Sequence, residues 1–119
     1  MLRPDDLISA SVHDRDGVAV LAVRGELDMA SSAAFKCAIS EALADRPQAL
    51  VIDLSDVGFL GSAGISVLVE ARDRVGDGDQ FAVVTGGPVA GRTIEVLELG
   101  ELLGVHQTVD ETLSAVAAH

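Results

Sequence analysis

The stretch that decides the fold runs from residue 53 to residue 68 and reads DLSDVGFLGSAGISVL. It continues the apolar run 49–52, and the pattern predicts a buried strand over 49–54, a short turn, and a helix over 62–75. Gly61 and Gly64 lie at the start of that helix, where they allow another backbone to approach closely. Ser62 is then at the positive end of the helix dipole, where unpaired N–H groups favour an anion.

Local physics leaves two interpretations of Ser62. Serine at the start of a helix commonly caps it by accepting a backbone hydrogen bond. Alternatively, Ser62 is a nucleophile on a G-x-S-x-G elbow, with His106 and an acid as partners. Leu60 occupies the first glycine position of that motif, and the chain is much shorter than hydrolases of this type. The sequence therefore favours capping over catalysis.

Working outward, strand-length apolar runs alternate with segments of helical period. Further strands are predicted at 8–12, 18–23, 80–85 and 105–109, the first two joined as a hairpin by a turn at 14–17. Further helices are predicted after Ser31 and Ser32 as far as Pro47, over 91–99, and at the end of the chain behind a cap at Asp110 or Thr112. Residues 76–79 are expected to form a turn. This alternation predicts one α/β domain over 1–119, with a four- or five-stranded mixed sheet, the first strand at its edge, covered mainly on one face by about four helices.

Composition excludes several classes of function. The chain has 119 residues, 8 basic and 19 acidic side chains, and a net charge of −11. A protein of this charge without a basic cluster is repelled by nucleic acid and by anionic membranes. It has three Phe and neither Trp nor Tyr, so stacking platforms for single strands are missing. The longest uncharged run, 57–69, is 13 residues, well short of the ~20 needed to cross a bilayer. We expect no nucleic-acid partner and no membrane insertion.

Metal, cofactor and redox chemistry find little support in the sequence. His13, His106 and His119 have no ligand spacing, so we expect no metal site. Asp73, Asp77 and Asp79 lack the spacing and closing Glu of a calcium loop. There is no phosphate-binding glycine loop of nucleotide enzymes, and no cofactor is expected. The acidic N-terminus does not resemble a secretory signal, and the single Cys37 suits a reducing cytoplasm.

Two motifs in this chain carry a resemblance to a known family. The pattern Asp53-Leu-Ser-x-Val-x-Phe-Leu-x-Ser62-x-Gly-Ile65, preceded by residues 25–28 (GELD), resembles the STAS domain of bacterial anti-sigma factor antagonists, over nearly the whole chain. The resemblance implies a cytoplasmic regulator of transcription without catalysis of its own. It implies that the protein binds an anti-sigma factor that is also a serine kinase and thereby releases a sigma factor. Phosphorylation by that kinase breaks the complex, and a serine phosphatase restores it.

The resemblance also assigns roles to residues. It makes Ser62 the phosphate acceptor, with Ala63 in place of the family's second serine and Gly61 in place of its aspartate, so an acid that would orient the hydroxyl is missing. The partner-binding residues it implies, together with the neighbouring apolar positions, are Glu26, Asp28, Met29, Gly61, Ser62, Ala63, Ile65 and Val69. The last two lie outside the predicted sheet-facing stripe of their helix. They form either an apolar docking strip or a contact with a neighbouring helix.

A second function stays open from the sequence. Similar domains serve as soluble accessory subunits of membrane transporters, and that role predicts association with a permease or ATPase and indifference to phosphate at Ser62. The sequence names neither the anti-sigma factor nor the sigma factor.

Overall fold

Five strands form one mixed sheet whose spatial order follows the chain, β1-β2-β3-β4-β5. The computed structural model describes residues 8–75 and 80–117. The strands are β1 (Ile8–Arg15), β2 (Val18–Leu27), β3 (Ala49–Leu60), β4 (Phe81–Val84) and β5 (Val105–His106). The helices are α1 (Ser32–Leu43), α2 (Ser62–Val75), α3 (Pro88–Val96), the single-turn α4 (Gly100–Leu103) and α5 (Val109–Ala117). β1 is antiparallel to β2, and the other neighbours are parallel.

The β1–β2 hairpin turns in two residues. Arg15 pairs with Val18, and Asp16 and Gly17 both have positive φ, +56° and +90°. This is the type I′ geometry that matches the twist of a hairpin, and Asp-Gly suits it because glycine adopts positive φ without strain. The Gly17 N–H also donates to the Asp14 carboxylate at 2.9 Å. The predicted hairpin and edge strand are confirmed, although both strands extend further than the apolar runs indicated.

Strand alternation divides the aliphatic core between the two faces of the sheet. One face carries Leu21, Leu50, Ile52 and Val83, which pack with buried residues of α1, α2, α3 and α4. The opposite face is smaller and lies under Val109 and Leu113 of α5; its buried side chains are Val18, Val20, Ala49, Val51, Ala82 and Val84. Because side chains alternate along a strand, one apolar run supplies both faces. The predicted mixed α/β sheet, covered mainly on one face, is confirmed.

Several predicted boundaries are wrong. β3 does not end at residue 54 but continues to Leu60, paired with β2 except at two register shifts. α3 begins at Pro88, whose fixed φ suits the first helical position, and ends at Val96. The last strand has two residues, and α5 is capped by Thr108, whose hydroxyl accepts from the Glu111 N–H at 3.1 Å. The predicted turn at 76–79 lies outside the described residues.

Of the helices in the described ranges, none has both the length and the apolar character needed to cross a membrane.

Gly64 lets α2 sit directly on the ends of β2 and β3. A Cβ atom added there would lie 2.8 Å from Leu60 Cδ1, 2.9 Å from Leu27 Cβ and 3.1 Å from the Leu27 carbonyl oxygen. Two of these atoms belong to the backbone or lie next to it, so they cannot move aside as a flexible side chain would. The close approach predicted for the glycines at this helix start is present at Gly64.

We therefore expect Gly64→Ala to lower the free energy of unfolding by about 1–3 kcal/mol, because overpacking outweighs the better helix propensity of alanine. Urea denaturation measures this change. The matched control is Gly58→Ala, since a Cβ at Gly58 meets nothing within 4 Å. Equal stability of the two variants would contradict the close packing.

Candidate functional site

The ends of β2 and β3 bring the two sequence motifs together. The strands are parallel, with Glu26 beside Phe59 and Leu27 beside Leu60. Beyond the last pair, the Gly61 N–H donates to the Leu27 carbonyl at 2.9 Å. The segment 25–28 and the start of α2 therefore lie at one end of the sheet, as the partner-binding prediction requires.

Two irregularities in the β2–β3 ladder orient this end. The register shifts between Ala22 and Arg24 and again between Gly25 and Glu26, so that β3 contributes extra residues opposite β2. Such bulges redirect side chains from one face to the other. After the second shift, Leu27 and Leu60 are buried, whereas their neighbours Glu26 and Phe59 are exposed.

Ser62 is the first residue of α2, and it is exposed. The first bond of the helix runs from the Ile65 N–H to the Gly61 carbonyl at 3.1 Å, so Gly61 holds the N-cap position. Within the described residues, the Ser62 hydroxyl makes no hydrogen bond. The capping interpretation of Ser62 is therefore wrong, and its hydroxyl is accessible.

The hydrolase interpretation fails on sheet geometry. His106 pairs with Val84, which pairs in turn with Asp53. β3 then runs seven residues further, to Leu60, before Ser62 is reached. At about 3.3 Å per residue this separates the imidazole from Ser62 by about 20 Å. No hydrogen bond can join the two side chains.

Asp28 and Ser31 form a reciprocal capping pair ahead of α1. The Asp28 N–H donates to Ser31 Oγ at 3.0 Å, and the Ser31 N–H donates to Asp28 Oδ1 at 3.1 Å. The Ser31 hydroxyl, only 1% exposed, also donates to the Glu26 carbonyl at 2.6 Å. The pair has the reciprocal bonding of a capping box, but it closes the turn before α1, since Ser31 itself holds the N-cap position and makes no side-chain cap bond. It fixes the turn that carries Met29, whose side chain is 86% exposed.

The Asp53–Ser55 part of the motif lies away from Ser62. Asp53 Oδ1 accepts from the Ser55 N–H at 3.0 Å and from the Ser55 hydroxyl at 2.6 Å. The loop between β4 and α3 packs against Ser55, where a Cβ on Gly86 would come within 2.8 Å of the hydroxyl oxygen. These residues therefore hold that loop in place and are separate from the partner-binding prediction.

The sequence left Ile65 and Val69 outside the sheet-facing stripe of α2, and the structure does not expose them as an apolar strip. Ile65 is 8% exposed and belongs to the main core, and Val69 is partly buried against the same core. The physical reason is α1, which packs beside α2 and is tied to it by Lys36–Glu70 at 3.4 Å. An additional tie is the bond from Arg74 Nη1 to Ser40 Oγ at 3.1 Å. Of the two alternatives, packing on a neighbouring helix describes these residues.

Exposed apolar and acidic side chains lie at the same end of the sheet as Ser62. Met29 and Phe59 are exposed apolar side chains, the latter 48% exposed, and Glu26 and Asp56 are exposed acids. We call Glu26, Met29, Phe59 and Ser62 the Ser62 surface. Sequence reasoning quoted Phe59 in the motif but missed it as a surface residue. The signal for its exposure is a break in the strand alternation. Val57 and Leu60 are three residues apart and yet both are buried, and the bulge between them explains this.

The fold and this surface define a small α/β domain with an exposed serine at one helix start. The sequence profile of the STAS domain matches residues 9–112. The chain therefore belongs to the STAS domain family.

Similar proteins include two from Mycobacterium tuberculosis. The anti-sigma-F factor antagonist RsfB is 41% identical over 111 residues, which cover 93% of this chain and 91% of RsfB. The anti-sigma-F factor antagonist RsfA is 27% identical, over 91% of this chain and 87% of RsfA. The crystal structure of an anti-sigma factor antagonist from Mycobacterium paratuberculosis superimposes with a TM-score of 0.85 at 42% identity, covering 92% of this chain and 94% of that one.

We expect Ser31→Ala to lower the free energy of unfolding by about 1–3 kcal/mol, because it leaves the Asp28 N–H and the Glu26 carbonyl without their partner. Ser32→Ala is the matched control: its hydroxyl makes one exposed bond, to the Met29 carbonyl at 3.2 Å, and its loss should cost less than about 0.5 kcal/mol. Chemical denaturation compares the two variants. A Ser31 variant as stable as the Ser32 variant would contradict the structural role of the capping pair.

Proposed function

We propose that this protein is an anti-sigma factor antagonist. It binds an anti-sigma factor that is also a serine kinase, and binding releases a sigma factor. The observation that carries the proposal is the 41% identity to RsfB, a protein named as an anti-sigma-F factor antagonist, over 93% of this chain. RsfA and RsfB are named as antagonists and not as enzymes, which favours a binding role without catalysis. The role places the protein in the bacterial cytoplasm, where sigma factors act.

The Ser62 surface supports this role through its composition. Partner sites combine an apolar centre with a polar rim. Met29 and Phe59 supply exposed apolar area, and Glu26 supplies negative charge beside it. The complementary partner surface is therefore an apolar pocket bordered by Arg or Lys side chains.

Phosphorylation of Ser62 is the proposed switch. The exposed hydroxyl is open to a kinase, and a phosphate there adds about −1.5 to −2 charges. The N-terminus of α2 tolerates that charge, because its N–H groups and dipole favour an anion, so the fold is preserved. Against a docked partner, the same charge brings a desolvation cost and repulsion of any acid that it faces. Removal of the phosphate by a serine phosphatase restores the binding form.

The effect of the switch must be local. The chain already has a net charge of −11, so one phosphate changes the total little. Salt screens exposed charges beyond about 8–10 Å. The phosphate therefore acts on the part of the partner that lies directly against the start of α2.

We expect Ser62→Glu to weaken binding of the anti-sigma factor by about tenfold or more, because its carboxylate, like a phosphate, places a negative charge at the interface. Ser62→Ala adds no charge and keeps the wild-type affinity. Isothermal titration calorimetry measures the dissociation constant of the wild type and of each variant. Ser66→Glu is the charge-matched control, since Ser66 is exposed one turn further along α2. Equal affinities for all four proteins would contradict the switch.

We expect the anti-sigma factor kinase and ATP to phosphorylate the wild-type protein at Ser62 and to leave Ser62→Ala unmodified. Mass spectrometry of the intact protein and of its peptides locates the phosphate.

Recovery of partners from a lysate distinguishes the two functions that the sequence left open. The antagonist role predicts capture of a serine kinase by the wild type and its loss with Ser62→Glu, while recovery of only permease or ATPase subunits would contradict it.

A further inference from the structure

The Phe59 ring occupies the space that a side chain at Gly61 would enter. A Cβ atom added to Gly61 would lie 2.9 Å from Phe59 Cε2 and 3.3 Å from Phe59 Cζ. Side chains essentially never show a separation under 3.0 Å. The Phe59 ring therefore lies against the bare Cα of Gly61, the residue immediately before Ser62.

This exclusion costs the fold little. The two ring atoms are the outer end of a side chain that is 48% exposed, so the ring can move into solvent. The next atom near the added Cβ is the Leu27 carbonyl oxygen at 3.6 Å, an ordinary contact, and Gly61 does not have a positive φ. Position 61 thus differs from Gly64, where the atoms that block a side chain include the Leu27 backbone carbonyl. A side chain at 61 turns the ring without breaking the helix start.

We propose that Gly61 holds the Phe59 ring in place and that this ring is the apolar anchor by which the protein recognises the anti-sigma factor. The inference rests on the proposed function and adds a specificity-determining pair to it. Of the three aromatic side chains, all among the described residues, Phe35 and Phe81 are buried in the core. Phe59 is the one left at the surface, three residues before the start of α2. Exposed aromatic side chains at partner sites carry a large share of binding energy.

The surroundings of Phe59 specify the partner chemistry. Glu26 is its cross-strand neighbour and is an exposed acid, while Asp56 on the same strand lies opposite the exposed Arg24. The matching site on the anti-sigma factor is an apolar pocket with basic side chains at its edge. Because the ring position depends on Gly61, any side chain at 61 presents the ring to that pocket in the wrong orientation and lowers affinity.

The first test measures the environment of the aromatic ring at position 59 in the absence of a partner. The chain has neither Trp nor Tyr, so Phe59→Trp gives a single fluorescent reporter. We expect Gly61→Ala in that background to shift the emission to longer wavelength and to increase quenching by acrylamide. Gly58→Ala in the same background is the control and should leave both unchanged, since its Cβ meets open space. Identical emission with and without Gly61→Ala would overturn the dependence of the ring on Gly61.

The second test measures recognition by a double-mutant cycle. We expect Gly61→Ala to weaken binding of the anti-sigma factor about tenfold in the wild-type background and less than about twofold in the Phe59→Ala background. Calorimetry supplies the four affinities. Equal losses in both backgrounds, or no loss, would overturn the anchor role. Failure of the wild type to bind an anti-sigma factor would overturn the proposed function and the recognition role together, while the fluorescence comparison still decides the ring contact.

Discussion

The backbone hydrogen bond from Gly61 to the Leu27 carbonyl is the constraint on which the site depends. It extends the β2–β3 ladder by one step beyond the last strand pair and fixes where α2 begins. Through it, two segments more than thirty residues apart in the sequence share one end of the sheet. The capping pair of Asp28 and Ser31 then sets the turn on one side of this bond. Gly64 lets the first turn of α2 close over the other side.

The packing that surrounds this bond is almost entirely aliphatic. Alternating Val, Leu, Ile and Ala side chains fill both faces of the sheet, and only two aromatic rings, Phe35 and Phe81, enter the core. Such a core is rigid when well packed, and the buried polar side chain beside the site, Ser31, is hydrogen-bonded to the Glu26 carbonyl. The chemistry of the surface is consequently left to a few side chains at the strand ends. Under the proposed switch, a phosphate at Ser62 therefore alters partner contacts while the fold beneath it stays unchanged.

Much of the fold was predictable because it depends on local patterns. Apolar periodicity located α2 with the bounds that the structure has, and Asp-Gly identified the hairpin turn. The end of β3 was not predictable, because apolar and polar residues alternate irregularly over 55–60. These residues stay in the strand because they pair with β2 on either side of two register shifts. For a similar reason the sequence left open whether Ile65 is exposed or packs on a neighbouring helix, because the packing of α1 beside α2 cannot be derived from helical periodicity within α2.

The sequence by itself determined the class of fold and the start of the helix at Ser62, and its net charge of −11 led to the expectation that nucleic acid is not a partner. These follow from residue types and spacing, which act over a few neighbours. Tertiary structure alone decided that the Asp28 carboxylate faces its own turn, that Gly61 rather than Ser62 holds the N-cap position, and that Phe59 is at the surface against Gly61. Each of these depends on a strand pairing or a contact between elements. Such contacts form only when distant segments are brought together, so no local pattern contains them.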